Sequence, residues 1–130
     1  MAVRLPRETC NRYARLSLFN SPYPAHNAGH AVDLYPGDER APSPVAGTVR
    51  ETLATGAPAR SDAEADDYLV LVDVDPDASG LDTGSSVVAR LLHVDPIVAA
   101  GDRVAVGDDL GRLVDSGYFA PWVDPHLHLG

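Results

Sequence analysis

The residues best suited to chemistry are five histidines, His26, His30, His93, His126 and His128, and one aspartate, Asp33, set among apolar neighbours. The histidines fall into three patches, and each patch abuts a segment that reads as a β-strand. Cys10 is the only cysteine, so a metal site here must be built from imidazole and carboxylate. Two histidines and a carboxylate, with a fourth position left open, make a catalytic zinc sphere. The sharpest local signal is Pro125-His126-Leu127-His128-Leu129. On a strand, alternate residues share a face, so His126 and His128 point one way while Leu127 and Leu129 point into the core. Two imidazoles ~7 Å apart along one face can serve one site, one as ligand and one as hydrogen-bonding neighbour.

The other candidates have plainer readings beside the functional ones. Asp33 in Ala31-Val-Asp33-Leu-Tyr35 needs a partner if it is half-buried, and a metal is one such partner. An acid on the solvent face of an edge strand is the alternative. His93 ends the run Val87-Val-Ala-Arg-Leu-Leu-His93, a strand-end place where a histidine is commonly a hydrogen-bonded packing residue. Tyr118, Phe119 and Trp122 precede the last strand and read as packing residues rather than as walls of a groove.

Short strands between turn signals must position these residues, the pattern of an all-β sandwich or barrel. The expected strands are Leu16–Phe19, Ala31–Tyr35, Pro44–Glu51, Tyr68–Asp75, Val87–Val94, Arg103–Val106, Leu110–Val114 and Pro125–Leu129. The 11 Gly and 11 Pro fall mostly between them. Tyr68-Leu-Val-Leu-Val-Asp-Val-Asp is the strongest of them, dense in β-branched residues. The segment from Pro76 to Gly84 reads as a long hairpin turn, and Glu8–Arg15 as a turn or two of helix. Thr55–Asp67, with four acids and few large apolar residues, reads as a solvated loop. Two Gly-Asp turns, at Gly101 and Gly107, bracket the short Arg103–Val106 strand.

The chain of 130 residues allows one domain, with residues 1–20 as an N-terminal extension and 21–130 as the core. Its 19 acids against 10 cations give a net charge of -9, which argues against binding a nucleic-acid backbone, since that needs clustered cations, and disfavours an anionic membrane surface. All the cations are Arg and 15 of the acids are Asp. That balance fits a protein kept soluble in high salt, or a GC-rich genome that writes Arg for Lys. The absence of lysine rules out Schiff-base chemistry and lysine-linked biotin or lipoate. A single cysteine precludes an intrachain disulfide. No apolar stretch has signal-peptide length or reaches the ~18 residues of a membrane span, so the expectation is a soluble, cytoplasmic protein.

In order along the chain come Asp33, then Ala41-Pro-Ser-Pro-Val-Ala-Gly-Thr-Val49, then Leu91-Leu-His93-Val-Asp95. Val98-Ala-Ala-Gly-Asp-Arg-Val-Ala-Val-Gly-Asp-Asp-Leu-Gly111 and His126-Leu-His128 follow. This order resembles the lysostaphin/LytM-type zinc metallopeptidases over roughly His26 to Leu129, about four-fifths of the chain. The resemblance implies an antiparallel β-sandwich or barrel-like domain of the duplicated-hybrid-motif type. It also implies hydrolysis of a peptide or peptide-like substrate, with Asp33 and His128 as zinc ligands and His93 and His126 as catalytic, non-ligand histidines.

The family's first ligand stands four residues before the aspartate, a position held here by Gly29. His30 and His26 are the candidates for that role. Strand parity opposes His30 unless Gly29 supplies a bulge, while His26 lies in a Pro- and Gly-containing approach able to fold back, which favours it. The proline and Gly-Asp segments also resemble carrier modules, excluded by the missing lysine. A histidine-phosphotransfer domain of related topology would use His93 with His126 and need no metal. A module that keeps the fold without turnover is the remaining alternative, and the displaced first histidine is the feature that favours it.

Overall fold

The structure, a computed structural model, describes residues 5–17, 32–37, 39–56, 66–81, 87–114 and 127–130. Among these residues it is built from antiparallel β-strands with two single-turn helices, as the alternation of apolar residues and turn signals predicts. The elements are α1 (Arg7–Cys10), β1 (Arg15–Ser17), β2 (Val32–Tyr35), β3 (Arg40–Pro42), β4 (Gly47–Gly56) and β5 (Asp66–Val74). After these come α2 (Pro76–Ser79), β6 (Val88–Leu92), β7 (Val94–Pro96), β8 (Arg103–Val104), β9 (Asp109–Leu113) and β10 (Leu127–Leu129). Among the described residues one sheet has seven strands in the order β1-β2-β10-β6-β5-β4-β8, and the other has three, β3-β9-β7. Among the described residues no helix is long and apolar enough to cross a membrane.

The β4–β5 hairpin is the longest element pair, in register from Gly47↔Val74 to Gly56↔Asp66 with a bulge between Val49 and Glu51. Its β5 arm alternates as a one-sided strand should: Val70 and Val72 are wholly buried, and Leu69 and Leu71 are half-buried on the other side. Val49, Val70, Val72, Ala89, Leu91, Leu34 and Leu127 from the large sheet meet Ala41, Val94, Leu110 and Leu113 from the small one. Each fully buried Leu or Val contributes about 2 kcal/mol of apolar transfer free energy to this two-layer core. Tyr13, just before β1, joins the same core, and its hydroxyl donates to the carbonyl of Pro42. Burial pushes the Tyr13 phenol above its ordinary range.

Several boundaries differ from the sequence reading, each for a physical reason. The run Val87–Val94 is not one strand. It breaks at His93, where φ is 75°, so that β6 stays in the large sheet and β7 crosses to the small one. β3 was not expected; it is an edge strand ending in Pro42, the place in a sheet where a missing N–H costs least. Both ends of the expected loop Thr55–Asp67 are strand. β4 runs through Gly56 and β5 begins at Asp66, while residues 57–65 lie outside the described set.

The segment expected as a hairpin turn opens with α2. Asp75 accepts from the Ala78 N–H at 3.2 Å, Pro76 takes the first helical position, and Gly80 ends the turn at φ 71°. The two Gly-Asp turns form as read. In each, the Asp N–H donates at 3.0 Å to the carbonyl three residues back, Ala99 or Ala105. The Asp carboxylate then accepts from the N–H of that same alanine, at 2.9 Å for Asp102 and 2.8 Å for Asp108. Gly101 and Gly107 take φ of 93° and 90°, the conformation the third residue of such a turn demands.

Candidate functional site

β10 enters the large sheet between β2 and β6, and its register is fixed by leucines. Leu127 stands opposite Leu34, and both are fully buried in the core. A slip of one residue would turn them outward, so the pairing is strongly specified. The same register sets His128 directly opposite Asp33 on one side and Leu92 on the other. Directly opposed residues of an antiparallel pair have Cα atoms about 4.5–5.5 Å apart. Asp33 has the parity opposite to Leu34, so its carboxylate lies on the face of the sheet that looks away from the two-layer core. It is nevertheless only 2% exposed.

The next part of the site comes from β5 and the β6–β7 junction. Leu92 pairs with Leu69, and Asp67 lies two residues before Leu69 on the same face of β5. The ring Nδ1 of His93 is 2.6 Å from Oδ2 of Asp67. The other carboxylate oxygen, Oδ1, accepts from the Tyr68 N–H at 2.7 Å. The Asp67 side chain is 1% exposed and that of His93 12%. The backbone of His93 is tied on both sides, its N–H donating to Tyr68 O at 3.2 Å and its carbonyl accepting from the Val114 N–H at 2.9 Å. Left-handed φ at a residue with a Cβ is uncommon, and such strain persists only where the surroundings over-determine it. Here two backbone bonds and one buried carboxylate do so.

Asp33, position 128, Leu92 and Leu69 therefore form one row across four neighbouring strands, with the Asp67–His93 pair beside it. Of the sequence-predicted residues, the structure brings Asp33, His128 and His93 into this one region. His26, His30 and His126 lie outside the described residues, as do Tyr118, Phe119 and Trp122. Among the described residues no group of three or more His, Cys, Asp or Glu gathers as a metal cage. A buried carboxylate in register with a histidine does agree in donor type with what zinc accepts, and leaves its further ligands to come from elsewhere in the chain.

Asp67 is the residue that the sequence reading missed. Its signal was present: it continues the odd-numbered face of Leu69 and Leu71 two residues further back, so strand parity would have placed it beside them. A separate cleft of about 270 Å³, lined by Arg12, Pro36, Arg40, Pro42, Gly107 and Asp109, includes none of the candidate residues. Its charge is partly neutralised within, by Arg40 and Asp109 at 2.5 Å.

Comparisons with curated proteins and with solved structures give no match. A family model covers residues 4–130, nearly the whole sequence, and on that extent the chain belongs to the family described as the Domain of unknown function (DUF8155) N-terminal domain.

Proposed function

We propose that the protein is a zinc-dependent hydrolase of the LytM-like β type that cleaves a peptide or amide bond. One observation carries this reading: two residues distant in sequence, Asp33 and His128, are direct register partners in the middle of a sheet, the first of them a buried carboxylate. A carboxylate and an imidazole are donors of the types that zinc accepts. Asp33 and His128 would hold zinc, with His26 or His30 as the third protein ligand. Zinc bound there supplies a Lewis acid and a bound water whose pKa falls toward ~7.

The chain's own residues supply orientation and proton handling. The core pairing of Leu34 with Leu127 holds the two ligand-bearing strands in one register. His93 accepts a proton at Nε2, since its Nδ1 is engaged by Asp67. His126, two residues before His128, shares the proton-handling role. Burial of Asp33 and Asp67 keeps water from competing for their carboxylates.

The test is elemental analysis of purified protein beside single variants. We expect roughly one zinc per chain in the wild type. Asp33→Ala and His128→Ala should lose it, and so should one of His26→Ala and His30→Ala but not both. Full zinc retention in His128→Ala overturns the assignment. Zinc-loaded wild type should cut members of a panel of glycine-rich peptides, read as new termini by mass spectrometry; no cleavage across the panel overturns the hydrolase reading.

A further inference from the structure

We propose that Asp67 is a positioning residue for His93, holding the neutral ring in the tautomer with its hydrogen on Nδ1 and so leaving Nε2 as the proton-accepting nitrogen. The use of that nitrogen in a reaction rests on the hydrolase reading; the tautomer does not. An ionised carboxylate only accepts hydrogen bonds, so an Nδ1 placed 2.6 Å from Asp67 Oδ2 carries the hydrogen. The carboxylate is not at liberty to turn, because the Tyr68 N–H holds Oδ1 at 2.7 Å. The pair is removed from solvent, with the carboxylate 1% exposed, so water does not offer the ring an alternative acceptor there.

The backbone reinforces the assignment. His93 sits at the crossing from the large sheet to the small one with φ 75°, a conformation that glycine would adopt at lower cost. A packing contact between β5 and β6 would be met by an apolar side chain on a relaxed strand. A buried carboxylate, a left-handed histidine and two anchoring backbone bonds together aim one ring nitrogen and fix which one bears the hydrogen. Asp67 touches no reacting atom; it acts through His93.

The decisive variant is Asp67→Asn. Its amide oxygen will take over the Tyr68 N–H, which leaves the NH₂ group facing Nδ1 and turns the ring into the Nε2–H form. The tautomer is read by two-bond ¹H–¹⁵N correlation of the histidine rings in zinc-loaded protein, with the His93 signals assigned by their loss in His93→Ala. We expect Nδ1–H in the wild type and Nε2–H in Asp67→Asn. Where glycine-rich peptides are cut, kcat should fall about 10³-fold or more with KM within about twofold, at unchanged zinc content. Asp67→Glu, which keeps an acceptor, should retain the wild-type tautomer.

An Nε2–H ring in the wild type overturns the proposal, and this needs no variant to fold. An unchanged tautomer or an unchanged kcat in a folded Asp67→Asn overturns it as well, leaving the hydrolase reading intact. Failure of the zinc-loaded wild type to cut any peptide, with the tautomer switching as described, overturns the hydrolase reading and leaves the positioning role supported.

Discussion

The turns that flank β8 and the junction between β6 and β7 both carry the backbone through positive φ, and they do so with different residues. At the turns the residues are Gly101 and Gly107, each followed by an aspartate whose carboxylate ties the turn back on itself. At the junction it is His93, the only residue other than glycine with positive φ among the described residues. The turns meet a geometric requirement with the residue that meets it at least cost. The junction meets the same requirement with a side chain that must pay for it, and in return places an imidazole against a buried carboxylate. Strain tolerated in one place and avoided in another is a mark of a position chosen for its side chain.

Substitutions at the two places sharpen this contrast. His93→Ala has the largest expected effect. It keeps the left-handed backbone and leaves the Asp67 carboxylate buried without its ring partner, and chemical denaturation should show a loss of about 3 kcal/mol. Gly101→Ala isolates the backbone cost alone. A Cβ there meets nothing within 4 Å, so φ of 93° is the whole penalty, about 1 kcal/mol on the same measurement. His93→Gly repeats the loss of the ring but relaxes the backbone, and should be more stable than His93→Ala by roughly 1 kcal/mol. Equal stability of these two variants would remove the strain from the comparison.

The smallest effect concerns Asp75, which caps α2 and accepts from Arg103 on β8 at 2.6 Å. The hydrogen bond from Arg103, and then the one from the Ala78 N–H, hold its carboxyl below the usual carboxylate range. The folded state therefore binds this proton less tightly than the unfolded chain. The contribution to stability is present above the ordinary Asp range near ~4 and is lost as pH falls through the lowered folded value. The Tm gap between wild type and Asp75→Asn should be steady at neutral pH and close as the solution is acidified. A gap independent of pH would rule out the charge as its source. The group is exposed, so the gap should be small.

What could be read from the sequence followed the strength of the local pattern. The alternation in Tyr68-Leu-Val-Leu-Val-Asp-Val announces β5, and Gly-Asp repeated at Gly101 and Gly107 announces two turns of one design. Asp33 could be singled out because an acid among Val32, Leu34 and Tyr35 is conspicuous. Asp67 carries the parity of Leu69 and Leu71, but the acids around it make the whole stretch read as solvated and mask that signal. The break at His93 was hidden for the opposite reason. Val87-Val-Ala-Arg-Leu-Leu-His-Val is apolar on both sides of the histidine, and nothing local tells a strand that changes sheets from one that continues. The choice between His26 and His30 depends on how residues 18–31 approach β2, which spacing alone does not encode.

The place of β10 in the large sheet has a kinetic consequence. β4, β5 and β6 are neighbours in space and nearly so in sequence, so this meander can zip together locally. The β1–β2 pair reaches it only across β10, which closes a far longer loop and so docks late. Contact order therefore places the meeting of Asp33 and His128 after the meander has formed. On that order a half-folded chain carries the framework before Asp33 and His128 stand opposite one another.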